Sequence, residues 1–233
     1  MPDRLSTAAS RPPLRRAAIT VDVVVLTPHG RRLALLLSRS TDPKSKERWE
    51  LPWESPRADE NIDDAAGRLT RARLGTAPAL IEQVGAFGDR RRHPSSAELS
   101  IAYLALVPAG TTTLVGGDLA WFPIDDLPPA SARHQEMIEA ALSTLRARVD
   151  QSPIAFRLLP PTFTLSQLQE IYEMLLGRRL HKASFRRALH AAWLVEPTDE
   201  WRSEGRGRPA QLFRFSPRKR RGNRRGVRFE GLA

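Results

Sequence analysis

Residues 51–75 read LPWESPRADENIDDAAGRLTRARLG. Trp49-Glu50-Leu51-Pro52-Trp53 is a short extended piece, and the spacing that follows predicts a helix over roughly 62–74. Asn61 or Asp59 is placed to cap its start, and Gly75 to end it. Within that helix Leu69, Ala72 and Arg73 stand three and four residues apart. Such positions are neighbours on one helix face, which here carries an alkyl group, a methyl and a guanidinium.

Working outward, ITVDVVVLTPHGRRLALLLSRS from Ile19 reads as two Val- and Leu-rich strands around a turn at Pro28-His29-Gly30. Strands are predicted at Ile81 to Phe87, Leu99 to Val107 and Leu119 to Pro123, with Asp89-Arg90-Arg91-Arg92-His93-Pro94 as a loop. A helix over 131–148 gathers Met137, Ile138, Ala141, Leu142 and Leu145 on one face. Residues 1–16 are polar and Pro-rich and read as a disordered arm. The first block, 17–149, is thus mixed α and β.

Composition changes near residue 150. Gln151-Ser152-Pro153 and Leu159-Pro160-Pro161 bracket a linker at 150–159. Thr164 and Gln167 form a capping box ahead of Leu165, Leu168, Ile171, Tyr172, Leu175 and Leu176 at helical spacing, and Gly177 stops that helix. A second helix over roughly 181–193 turns Phe185, Ala188, Leu189 and Ala192 inward. Leu194-Val195 and Leu212 to Phe215 are strands of a hairpin with its tip at Glu204 to Pro209. Helix, turn, helix and basic hairpin is the order of a winged helix, here over 160–216. A basic tail, 217–233, follows, with Arg218, Lys219, Arg220, Arg221, Arg224, Arg225 and Arg228.

The bulk properties narrow the classes. The 233 residues contain 37 Lys and Arg against 26 Asp and Glu, a formal net charge of +11, which favours polyanionic partners. With no cysteine there is no disulfide, thiolate zinc site or cysteine nucleophile. Five histidines without an H-x-x-x-H pair argue against a histidine metal site, so no metal is expected. There is neither a membrane-length apolar run nor a signal peptide, and a cytoplasmic protein is expected.

Residues 51–75 resemble the Nudix box: a Gly, five residues, a Glu, seven residues, Arg-Glu, an apolar residue, one more, Glu-Glu, one more and Gly. Glu60, Arg68 and Gly75 keep the register, whereas Glu54 stands at the first Gly, and the three helix glutamates fall on Leu69, Ala72 and Arg73. In the family those carboxylates hold the divalent cations that polarise a diphosphate and activate water. Arg73 would repel such a cation; Glu54, Glu60 and Glu98 do not rebuild the cluster. The resemblance therefore implies a fold without catalytic residues, not an enzyme, in which a nucleotide effector (ADP-ribose, NAD or ATP) takes the pocket. Arg73, with Arg71 or the Arg90, Arg91 and Arg92 loop, is expected to pair with a diphosphate. Trp53 and Phe87 are candidates to stack on an adenine or nicotinamide ring. The plainer alternatives are solvated arginines and core aromatics.

The second half resembles the C-terminal domain of Nudix-related transcription regulators of the NrtR type, including alphaproteobacterial NAD regulators with an eroded Nudix box. The residues that carry the likeness are Phe163-Thr164-Leu165, Gly177-Arg178, Lys182-x-Ser184-Phe185-Arg186-Arg187 and Gly207-Arg208-Pro209 with Leu212 to Phe215. The expected fold is α+β, a Nudix-like α/β/α sandwich followed by a winged helix-turn-helix domain. Lys182, Ser184, Arg186, Arg187 and His190 avoid the buried positions and suit a major groove, and Arg206 or Arg208 at the wing suits a minor groove or phosphate. The resemblance implies a homodimeric repressor of NAD-metabolism genes on double-stranded operator DNA, with no membrane partner. Alternatives are an active Nudix hydrolase of ADP-ribose or a related diphosphate with a basic tether, an RNA-binding module, or a winged helix that binds protein.

Overall fold

The computed structural model describes residues 17–40, 46–88, 93–110, 114–203 and 209–216. The predicted arm, the Arg90–Arg92 loop, the wing residues Arg206 and Arg208 and the basic tail lie outside the described residues.

The first half is built on one sheet. Strands β1 (Ile19–His29), β2 (Arg32–Arg39), β3 (Trp49–Glu50), β4 (Trp53–Glu54), β5 (Leu80–Phe87), β6 (Leu99–Leu106) and β7 (Leu119–Pro123) form it, with the path β3-β2-β1-β6-β5. β4 pairs with β1, and β7 with β2. β1 and β6 run parallel, in register from Ile19↔Leu99 to Leu26↔Leu106. Alternation along these strands splits the side chains between two cores. Val21, Val23, Val25, Tyr103 and Ala105 pack under helix α1 (Ile62–Leu74) with Ala65, Ala66 and Leu69. Val24, Leu26, Ala102, Leu104 and Leu106 pack against helix α2 (Ala132–Gln151) through Met137, Ile138, Ala141 and Leu145. Helices on both faces make an α/β/α sandwich.

α1 occupies the predicted span. Its N-cap residue is Asn61, whose side chain makes no cap hydrogen bond, and Gly75 closes it in the left-handed region at φ 64°. Two acidic residues, Asp63 and Asp64, sit in the first turn and Arg71 and Arg73 in the last, as the helix dipole favours.

The core on the α2 side does not stop at the sandwich. It continues through the 3-10 turn Ile154–Leu158 into helix α3 (Leu165–Leu176) and helix α4 (Lys182–Ala192), with Phe163, Leu168, Tyr172, Phe185 and Leu189 in the same cluster. Ile154, Ala155, Phe156 and Leu158, within the stretch read as a linker, are buried. The apolar run between the prolines is what draws them in. Strands β8 (Thr162–Phe163), β9 (Val195–Arg202) and β10 (Ala210–Phe215) complete the winged helix as a sheet of order β8-β10-β9.

Candidate ligand site and nucleic-acid interface

The α1 positions do not form one solvent-facing stripe. Leu69 is 1% exposed and belongs to the core under the helix, whereas Ala72 is exposed and Arg73 half-buried. Of these neighbouring positions Leu69 lies at the edge of the face that meets the sheet, where an alkyl chain gains by burial. Thr70 also faces inward and donates back to the Ala66 carbonyl at 2.8 Å.

The surviving acids converge on Arg68. Arg68 Nε donates to Glu60 Oε1 at 2.7 Å, Nη2 donates to Glu60 Oε2 at 2.9 Å, and Nη1 donates to Glu54. The Arg68 hydrogen bonds hold the Glu60 carboxyl at about 2, far below its ordinary 4.5, and the two carboxylates push the guanidinium pKa upward. One guanidinium thus occupies both carboxylates, and Glu98 lies exposed elsewhere.

Of the predicted effector residues, Trp53 is half-buried on β4, next to Glu54, and its indole N–H donates to Glu50 Oε1 at 3.2 Å. Phe87, at the end of β5, is half-buried and packs on the α2-side core. Arg71 is exposed, and its guanidinium lies back over Gly67 on the preceding turn. Arg73 is different. Its Nε is buried and has no hydrogen-bond partner among the described residues. An unpaired buried donor costs free energy until an acceptor arrives.

Beside Trp53 lies a cluster that spacing did not reveal. Asp22 of β1, His93 and His134 of α2 are fully buried together. His93 Nε2 is 2.8 Å and His134 Nε2 3.3 Å from Asp22 Oδ1, and Thr20 donates its hydroxyl to Oδ2 at 2.8 Å. Burial alone would raise the Asp22 pKa; the hydrogen bonds from His134 and His93 overcome it and hold the group at about 2. The backbone N–H of Leu51 donates to His134 Nδ1 at 3.3 Å and that of Ser95 to His93 Nδ1 at 3.0 Å. With Nδ1 accepting a backbone N–H, each imidazole turns its Nε2 towards Asp22 Oδ1, and the two Nε2 atoms lie 3.1 Å apart. Asp22 Oδ1 and the two Nε2 atoms lie within 4.8 Å of one another, a grouping of ligand types that could hold a metal ion. Two of five scattered histidines meet because α2 begins over the sheet end where β1 starts. Asp22, a lone carboxylate in the Val-rich β1, was the sequence signal.

In the second half α3 starts with the predicted capping box, Thr164 Oγ1 accepting from Gln167 N–H at 3.1 Å and Gln167 Oε1 from Thr164 N–H at 2.9 Å. Glu173 fixes the turn into α4. Its carboxylate accepts from Leu180 N–H and Gln169 Nε2, both at 2.9 Å, and from Arg179 at 3.2 Å. Burial raises its pKa, but these donors outweigh it and the net shift is downward. Phe185 and Leu189 seat α4 in the core, Phe185 edge-on to Tyr172 at 5.5 Å. Lys182, Arg186, Arg187 and His190 are consequently exposed along the other face, and Ser184 is half-buried, hydrogen-bonded to His181 and Arg187.

A sandwich of this topology joined through a shared core to a three-stranded winged helix defines a two-part protein that pairs a Nudix fold with a DNA-binding module. The NUDIX domain model matches residues 16–141, and the NrtR DNA-binding winged helix domain model matches residues 155–215. The ADPR responsive transcriptional repressor NtrR of Acinetobacter baylyi is 29% identical over 205 residues, 85% of this chain and 82% of that protein. Shewanella oneidensis NrtR, in its crystal structure with a 27mer DNA, is 30% identical with a TM-score of 0.73, over 85% of this chain and 94% of that one. A MutT/nudix family protein from Enterococcus faecalis shares the fold, with a TM-score of 0.69 at 19% identity over 87% of this chain and 89% of that one. The chain belongs to the Nudix family, in the NrtR-type group of regulators that carry a winged helix. No helix among the described residues is long and apolar enough to cross a membrane.

Proposed function

We propose that this protein is a transcriptional repressor of NAD-metabolism genes. It binds operator DNA through α4 and the wing, and its DNA affinity changes when a nucleotide binds the Nudix half. ADP-ribose is the first effector to test, because the Acinetobacter baylyi relative is an ADPR-responsive repressor. The observation that carries the reading is the exposed face of α4, where Lys182, Arg186, Arg187 and His190 project away from a core set by Phe185 and Leu189. Such a face offers guanine-reading arginines and phosphate-binding cations on a rigid element. Arg206 and Arg208, outside the described residues, are the wing cations assigned to DNA on the same reading.

On this reading the Nudix half senses and does not hydrolyse. Three observations support this: Leu69 sits in the core, Arg73 carries the wrong charge for Mg²⁺, and Glu54 and Glu60 are engaged by Arg68. Arg73, with Arg71 or the Arg90–Arg92 loop, receives the diphosphate, and Trp53 or Phe87 flanks the base. The protein acts in the cytoplasm as a homodimer, since two winged helices match a pseudo-palindromic operator. The working division is a sensing domain at 17–149, a connector at 150–159 and a reading domain at 160–216.

The test is a mobility-shift titration of operator DNA with and without ADP-ribose, beside an assay for AMP release with Mg²⁺. We expect a nucleotide-dependent change in operator affinity and no AMP above background. Turnover at an ordinary enzymatic rate, lost in Glu60→Gln, would overturn the silent-sensor reading.

A further inference from the structure

Ser95 stands at the mouth of the buried Asp22–His93 pair. It is exposed, while His93 and Asp22 are buried. Ser95 Oγ lies 2.6 Å from His93 Nδ1, and His93 Nε2 lies 2.8 Å from Asp22 Oδ1. With a proton on His93 Nε2 facing the Asp22 carboxylate, His93 Nδ1 presents a lone pair to the Ser95 hydroxyl. The Ser95 backbone N–H donates to the same nitrogen at 3.0 Å, and Ser95 Oγ accepts from the Ala97 backbone N–H at 3.4 Å. His134 and Thr20 clamp Asp22 from its other sides. Next in the chain, Ser96 adopts φ 62°, a left-handed conformation that non-glycine residues rarely take and that clusters at functional sites. A hydroxyl, a base oriented to receive its proton and a buried carboxylate that orients the base are the three parts of an activated serine.

We propose that Ser95 is a nucleophile that takes an acyl group from an activated acyl donor, an aryl ester or thioester. His93 is the base and Asp22 the positioning residue. Ser95 Oγ attacks the carbonyl carbon as its proton passes to His93 Nδ1. The C–O or C–S bond of the donor breaks, and the leaving group takes the proton back from His93. An ester on Ser95 and a neutral alcohol or thiol remain, with no redox change. The site lies beside Trp53, whose ring meets His93 edge-on at 5.0 Å.

The full-length protein is incubated with p-nitrophenyl acetate and acetylation is followed by peptide mass spectrometry. Ser96, adjacent and also exposed, is the internal control. Base catalysis by a positioned histidine is worth roughly 10²–10⁴, so Ser95 should be acetylated about a hundredfold or more faster than Ser96. His93→Gln should bring Ser95 down to the Ser96 rate, and Ser95→Ala should remove the signal. For Asp22→Asn, ¹⁵N spectra of the histidines should show the His93 proton moved from Nε2 to Nδ1, with the rate falling in step. Equal rates at Ser95 and Ser96 in the unaltered protein would overturn the proposal without any variant having to fold. So would a folded His93→Gln that reacts as fast as the parent.

Discussion

Helices α1 and α4 both carry arginine on a short amphipathic frame, and they use it in opposite ways. On α1, Arg68 is drawn inward against two carboxylates, Glu54 and Glu60, and its charge is neutralised within the protein. On α4, Lys182 and Arg186 find no hydrogen bond or ion pair among the described residues, and their charge is left for another molecule. A satisfied guanidinium stiffens a fold; an unsatisfied one on a rigid helix is an invitation to a polyanion. Arg73 lies between these cases, on α1 yet with a buried Nε that lacks a partner among the described residues.

The strongest way to break the contrast is to remove what aims α4. Phe185 is fully buried against Tyr172, in a cluster that runs on into the sandwich. Phe185→Ala should cost about 3–5 kcal/mol. Because the core is continuous, denaturant unfolding should stay a single transition while operator binding weakens for every sequence. Two separated transitions would show that the halves fold independently and that the shared core contributes little.

Aim without loss of fold is tested on the surface of the same helix. Arg186→Ala should cost roughly 1–3 kcal/mol of operator affinity and narrow the gap between operator and random DNA. Arg68→Ala should leave that gap unchanged, since its charge faces Glu54 and Glu60. If both variants lower operator and random binding equally, α4 contributes charge and not readout. Truncation after Ser216 should lower both by similar factors and flatten the salt dependence.

These contrasts were unevenly legible in the sequence. Periodicity located α1 to its last residue, the capping box of α3 and the inward pair Phe185 and Leu189, because each rests on contacts within a few residues. The inward turn of Leu69 was missed because spacing gives a helix face but not what lies beneath it. The Asp22, His93 and His134 cluster was invisible for a related reason: its members are separated by 71 and 41 positions and meet only through the packing of α2 on the sheet. The burial of the 150–159 stretch escaped because prolines mark a change of direction and not exposure.

For Arg73, a charge-assisted hydrogen bond is worth roughly 1.5–3 kcal/mol, so Arg73→Ala should weaken ADP-ribose binding about tenfold or more in calorimetry. Arg71→Ala, removing an exposed side chain that lies along its own helix, should change it less. Equal affinities for Arg73→Ala and the parent would return Arg73 to the class of charges already satisfied.

The smallest effect belongs to the pair that defines the inward-facing case. Glu60 is held at about 2 against an ordinary 4.5, chiefly by the Arg68 hydrogen bonds. Its folded-state pKa is depressed, so its stabilisation is fully present above about pH 4.5, where the unfolded chain also ionises, and is lost as pH falls towards about 2. Asp22 titrates over a neighbouring window, from 3.8 to about 2, so the unaltered protein alone cannot separate the two. Glu60→Gln does. It lacks the charge at every pH while Asp22 is untouched, so the gap in melting temperature between parent and variant should be constant above about pH 5 and close as pH falls towards 2. The gap should be small throughout, because the pair is only half-buried and water and salt still screen it. A gap that persists unchanged to the lowest pH would mean that Glu60 acts through shape and not through charge, and Arg68 would then be free to serve a ligand after all.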